Sequence, residues 1–230
     1  MAVLTIESFP GRAALPPPDA VTWPRGMAVA STDPATLFEI CRPEVNLAIW
    51  HRQLPQRLGA ALRPLLMAAP FTAVAEGEID AALVTLAGKL PATPPLELMF
   101  DLQDLATAFA AIAATQGVVS IRLEAITGRG CHRWHADAVG LRLLCTYRGL
   151  GTEWLARPGG AGTARALAPD RSAPIASAQM PAGSAAILKG EGHPGNAGAG
   201  CIHRAPPAGT GARARLLLCI DEPGRIPLDD

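Results

Sequence analysis

The chain has 230 residues, 20 basic and 20 acidic side chains with a formal net charge of zero, and only four Trp, one Tyr and five Phe against 22 prolines and 23 glycines. That length suits one domain with a full core, and a balanced charge without a basic stripe argues against a nucleic-acid partner. The five cysteines, Cys41, Cys131, Cys145, Cys201 and Cys219, form no C-x-x-C pair, and no stretch approaches the roughly 20 apolar residues that span a bilayer. Reduced thiols, a cytoplasmic location and no membrane partner are therefore expected.

Residues 1–44 are rich in proline and turn formers, with Trp23 as their large anchor, and are read as an irregular arm. Residues 45–117 are read as mainly helical support. Val45, Leu47 and Ile49 alternate as in a short half-buried strand, and Pro55 then opens a helix carrying Leu58, Leu62 and Leu65 on one face until Pro64 disturbs it. A second helix is predicted over 78–89. A third follows Pro94 and Pro95, with Leu98, Leu102, Leu105, Phe109 and Ile112 at steps of three and four and Gly117 as its stop. From 118 to 221 the pattern is β: Val119, Ile121 and Leu123 alternate, residues 139–147 form an apolar run, and short strands are expected at 152–155, 185–188, 201–203 and 213–220. Residues 156–175 are read as a loop able to cover a site. Helices first and strands second, within a single domain of 230 residues, define an α+β order with helices against one side of a β-sandwich or barrel.

The segment Cys131-His132-Arg133-Trp134-His135-Ala136-Asp137 places a histidine and an aspartate two apart before a long strand. On extended chain their side chains project to one side. His203, 66 residues beyond Asp137, enters another strand after a glycine-rich turn. Two imidazoles and one carboxylate on one face of a metal suit iron(II), because three coordination positions stay open. A structural zinc site needs four ligands, usually with thiolates, and Cys131, His132 and Cys201 keep that alternative in play. Each histidine taken singly also fits a hydrogen-bonded residue at a strand end. His193 is read as a loop residue, and Cys145 and Cys219 as small core residues. The only tyrosine, Tyr147, shares the inward parity of His135 and Asp137 by count, so it is a candidate to hydrogen-bond a co-substrate, with packing as the other reading. No G-x-S-x-G, Walker loop or G-x-G-x-x-G supports a hydrolase, nucleotide or dinucleotide reading.

The order H-x-D, long strand, Gly151-Thr152-Glu153-Trp154, Pro181-Ala182-Gly183-Ser184-Ala185, His203, Pro207, Gly211, Arg213 resembles the double-stranded β-helix, a cupin-like jelly roll, of prolyl hydroxylase-like iron(II) and 2-oxoglutarate oxygenases. The resemblance covers about residues 118–221. It implies that His135, Asp137 and His203 hold iron, and that a basic residue about ten positions after the second histidine binds the far carboxylate of 2-oxoglutarate. Arg213 and Arg215 are both candidates. The chain departs from the pattern at Lys189-Gly190-Glu191, which makes Lys189 either an anchor for an acidic ligand or a residue at a strand end. Across nearly the whole chain, CRPEVNLAIWHRQLP, WHADAVGLRLLCTYRGLGTEWL, AILKGE, HRAPP and RLLLCID are similar to a bacterial family known as domain of unknown function 1826. The implied function is an oxygenase hydroxylating a small-molecule or peptide substrate. The alternative is a cupin-type zinc- or iron-binding protein without oxygenase activity.

Overall fold

The computed structural model describes residues 27–128, 130–167, 177–207 and 214–225. The chain enters with β1 (Met27–Ser31), a 3-10 helix (Pro34–Cys41) and β2 (Val45–Trp50). Asp33 starts the 3-10 helix by accepting the Ala35 N–H at 2.9 Å, with Pro34 pre-setting the backbone of the first turn. The C-terminal part of the expected irregular arm is thus regular structure; residues 1–26, including Trp23, lie outside the described residues. β1 escapes a sequence reading because it is short and alanine-rich and gains its hydrogen bonds by pairing parallel to β2.

The helix predicted after Pro55 is two short ones, α1 (Gln56–Ala61) and α2 (Arg63–Met67), joined at Leu62 because Pro64 has no N–H to continue the first. Leu58, Leu62 and Leu65 still bury together. β3 (Phe71–Glu78) was not anticipated; its inner residues are Ala73 and Ala75, too small to mark a strand by hydropathy, yet they allow a helix to approach the sheet. α3 (Ile79–Lys89) and α4 (Leu96–Ala113) match the periodicity, and α4 closes on Ala114 in the left-handed region at φ 53°.

The second half supplies β4 (Val118–Ile126), β5 (Leu141–Arg148), β6 (Glu153–Leu155), α5 (Gly160–Leu167), β7 (Ala178–Gln179), β8 (Ala185–Lys189), β9 (Ile202–Arg204) and β10 (Arg215–Asp221). These sort into a seven-stranded sheet of order β1-β2-β8-β5-β10-β4-β3, antiparallel except for β1–β2, and a three-stranded antiparallel sheet of order β7-β6-β9. The protein is therefore mixed α+β with a large, mostly antiparallel sheet. α5 corrects the reading of 156–175 as loop: Glu191 Oε1 accepts the Ala161 N–H at 2.6 Å and satisfies the start of the helix. Residues 168–176 lie outside the described residues.

Strand alternation gives the large sheet two apolar faces. One packs under the helices: Val119, Ile121, Leu143, Ile187, Leu218 and Ile220 meet Leu83, Leu86, Leu102 and Phe109. The other packs against the small sheet: Leu47, Leu144, Leu188 and Leu217 meet Trp154, Met180 and Cys201. At about 1.5–3 kcal/mol for each fully buried large side chain, both layers contribute substantially. Among the described residues no helix is long and apolar enough to cross a membrane.

Candidate metal centre

Trp154 on β6 lies opposite His203 on β9, and His203 forms a bridge to His135 through two backbone hydrogen bonds, His135 N–H to His203 O at 3.0 Å and the reverse at 2.9 Å. Directly opposed residues on adjacent strands share a face. Trp154 belongs to the cluster between the sheets, so both imidazoles lie on that inner face. Their ring centroids are 4.4 Å apart.

Each imidazole is oriented by its own strand. His135 Nδ1 lies 2.9 Å from Arg133 O and His203 Nδ1 lies 3.1 Å from Cys201 O. An N–H donated to a carbonyl fixes the tautomer and leaves Nε2 with its lone pair free. Both Nε2 atoms turn to Asp137: His135 Nε2 is 3.5 Å from Oδ1 and His203 Nε2 is 3.3 Å from Oδ2. One ligand atom from each of the three residues falls within 4.8 Å of the others, the spacing a single ion requires. Burial alone would raise the Asp137 carboxyl, but its neighbours His203, Arg142 and His135 hold it well below the usual carboxylate range. His135 moves the other way, lowered by burial and by His203, which favours the neutral imidazole.

The donor set fits an octahedral divalent ion held on one face. Among the described residues no cysteine joins it. Cys131 Sγ lies 3.6 Å from His135 Nδ1, on the ring nitrogen that faces away from Asp137. Cys201 packs in the apolar cluster with its thiol pushed up to about 12 by burial. His132 is exposed against Gly130 O, and His193 sits in a turn with Nδ1 3.1 Å from Pro194 O, so neither approaches the triad.

Of the residues considered for a co-substrate, Arg215 faces the space between the sheets. It is 9% exposed, and its Nη2 donates to Thr152 Oγ1 at 2.8 Å and Thr146 Oγ1 at 3.2 Å. Its Nε has no hydrogen-bond partner and it forms no ion pair among the described residues, Glu124 being the acid whose charge reaches it. Burial pushes this guanidinium down to about 10. Arg213 lies outside the described residues.

Tyr147 and Lys189 are on the opposite face. Tyr147 packs in the helix-side core and its hydroxyl donates to Asp101 Oδ2 at 2.5 Å. The inward parity expected for it does not hold, because residues 138–140 bend and a two-residue count carries only along continuous strand. Lys189 alternates with inward Leu188 and donates from Nζ to Arg42 O at 2.6 Å.

The sequence reading missed Arg142 and Asp221. Arg142 Nη1 reaches Asp137 Oδ2 at 2.9 Å, while its Nε and Nη2 each lie 2.7 Å from an oxygen of the fully buried Asp221. The available signal was parity within β5, where Arg142 lies two residues before inward Leu144. Glu153 and Trp154 are both buried, but on different faces: Trp154 is inward, whereas Glu153 pairs with Arg204, which stacks 4.1 Å over the Trp134 ring.

The chain belongs to the family described as a protein of unknown function (DUF1826), whose model matches residues 31–221. Its fold is shared with a dioxygenase for auxin oxidation from rice, at a TM-score of 0.50 and 14% identity over 82% of this chain and 76% of the other. A second similar structure is dioxygenase for auxin oxidation 1 from Arabidopsis thaliana in complex with 2-oxoglutarate, with a TM-score of 0.46 and 13% identity over 80% and 85% of the two chains. No curated protein sequence matches the chain.

Proposed function

We propose that this protein is an iron(II)- and 2-oxoglutarate-dependent oxygenase acting on a small-molecule or peptide substrate, with its two sheets forming a double-stranded β-helix. The reading rests on one observation: a His-Asp-His triad and a buried arginine that forms no ion pair among the described residues face the same space between the sheets. Thr152, which touches Arg215, lies two positions from Trp154, the residue opposite His203. At about 3.3 Å per residue this is a step of roughly 7 Å along the strand, a span suited to a five-carbon diacid. The fold shared with a dioxygenase supports the same reading.

His135, Asp137 and His203 would hold iron(II), which supplies oxygen activation coupled to decarboxylation of the keto acid. The remaining tasks belong to the chain. The carbonyls of Arg133 and Cys201 accept from Nδ1, so the neutral form of each ring presents Nε2 to the ion, and Asp137 stays ionised. Arg215 binds the far carboxylate with its planar fork, held by the Thr146 and Thr152 hydroxyls. Leu144, Trp154 and Leu217 keep water from the space between the sheets.

Incubation with iron(II), ascorbate and 2-oxoglutarate yields succinate by mass spectrometry, and Asp137→Ala abolishes it. Absence of both succinate formation and 2-oxoglutarate binding by calorimetry would discard the oxygenase reading in favour of a metal-binding protein without that activity.

A further inference from the structure

The guanidinium behind Asp137 is held in a way its neighbours explain. Arg142 and Asp221 lie directly opposite each other on β5 and β10, and the two-pronged pair between them uses Arg142 Nε and Nη2 at 2.7 Å each. Asp221 is fully buried at the end of a central strand. A planar guanidinium fixed on one edge by such a pair has no rotational freedom left, so its remaining nitrogen, Nη1, is aimed. It is aimed at Asp137 Oδ2, at 2.9 Å, an oxygen that also lies 3.3 Å from His203 Nε2, while Asp137 Oδ1 lies 3.5 Å from His135 Nε2 and takes no bond from Arg142.

We infer that Arg142 is a positioning residue that makes Asp137 a one-oxygen metal ligand, with Asp221 as the fixed post that aims it. This rests on the metal reading above. By engaging Oδ2, Arg142 sets the carboxylate plane and competes with an ion for that oxygen, so Oδ1, which Arg142 does not engage, is left as the stronger metal donor. A carboxylate free to bind through both oxygens would occupy one coordination position that a co-substrate needs. Asp221 has a second effect: its charge offsets that of Arg142, so the cation behind the ligand does not oppose a divalent ion with a full unpaired charge.

The test is cobalt(II) titration of the metal-free full chain, followed by calorimetry and by the visible cobalt absorption, whose intensity reports coordination number. Two variants are compared with wild type. Arg142→Lys keeps a cation but loses the planar fork that fixes its direction, and the double variant Arg142→Met with Asp221→Asn removes the aimed donor and its post together, leaving Asp137 with the two imidazoles. The expected result is a cobalt Kd raised by about 10–100-fold in each, with a changed absorption intensity. Should Arg142→Lys fail to fold, the double variant decides. An ion pair serving only structure would lower the melting temperature of the metal-free protein while leaving the cobalt Kd and spectrum as in wild type. That result overturns the inference and leaves the metal site intact. Wild-type protein that binds no cobalt, or whose binding survives Asp137→Ala, overturns the metal reading itself.

Discussion

A guanidinium buried against two threonine hydroxyls with no ion pair among the described residues and only the charge of Glu124 to offset it, as at Arg215, destabilises the fold that contains it. Arg215→Met removes that charge at similar length. The expected outcome is a melting temperature a few degrees higher, the response of a domain of this size to about 1 kcal/mol, together with a 2-oxoglutarate Kd raised about 10–100-fold and unchanged metal affinity. Thermal melts and calorimetry on one preparation check all three; a variant that is less stable and binds the keto acid normally would show that Arg215 serves packing. At this scale the triad was legible because H-x-D and a distant histidine are recognisable as types at a spacing. Arg142 and Asp221 were not, since their role depends on cross-strand register, which no local pattern records. Tyr147 misled because parity was counted through the bend at 138–140.

Among the elements, the segment carrying Asp137 depends on the turn after β8. The amides of Gly190, Glu191 and Gly192 donate to Gly140 O, Asp137 O and Val139 O at 2.9, 2.7 and 3.0 Å. A Cβ at position 190 would lie 2.2 Å from Val139 O and 2.7 Å from Asp137 O, closer than any real contact, and both atoms are backbone. Gly190→Ala is therefore expected to cost about 1–3 kcal/mol and to weaken metal binding with it, because the backbone that must shift carries a ligand. Gly88→Ala on α3, where a Cβ meets nothing, is the control: about 0.5–1 kcal/mol more stable, with metal Kd unchanged. Urea melts with parallel metal titrations separate the two. Strong helical periods, as in α4, were readable from the sequence. β1, β3 and α5 were not: alanine and glycine carry little hydropathic contrast, and these segments owe their form to partners far along the chain, β2, β4 and Glu191 respectively.

Across the whole molecule, both sides of the large sheet hold thiols that burial keeps neutral. Cys145 is pushed up to about 11 and Cys201 to about 12, against 9.0 for an ordinary thiol, and burial also raises Tyr147 well above 10.0. A group whose pKa is raised on folding contributes stability that is complete below the unfolded value and lost as pH climbs toward the folded one. The urea midpoint is therefore expected to be flat with respect to these groups below pH 9.0 and to fall from 9.0 toward 12, less steeply in Cys201→Ala. A midpoint indifferent to pH over that interval would mean these thiols are not sequestered in solution.

The bridge between His135 and His203 bears on more than metal geometry. Residues 131–137 are fastened to β9 by the two bridge hydrogen bonds and a third from Ala205 N–H to Cys131 O at 2.8 Å. So few bonds make a weak seam, the kind that opens by local unfolding without the rest of the sheet. An ion bound between the two imidazoles crosses that seam and closes it, by an amount set by its concentration relative to Kd. Amide hydrogen exchange at His135, His203 and Ala205 should then be fast in chelator-treated protein and slow by at least tenfold once metal is restored, while Leu218 and Ile121 in the central strands exchange alike in both. Filling the site would thus pin residues 131–137 to the small sheet, making that attachment conditional on the ion.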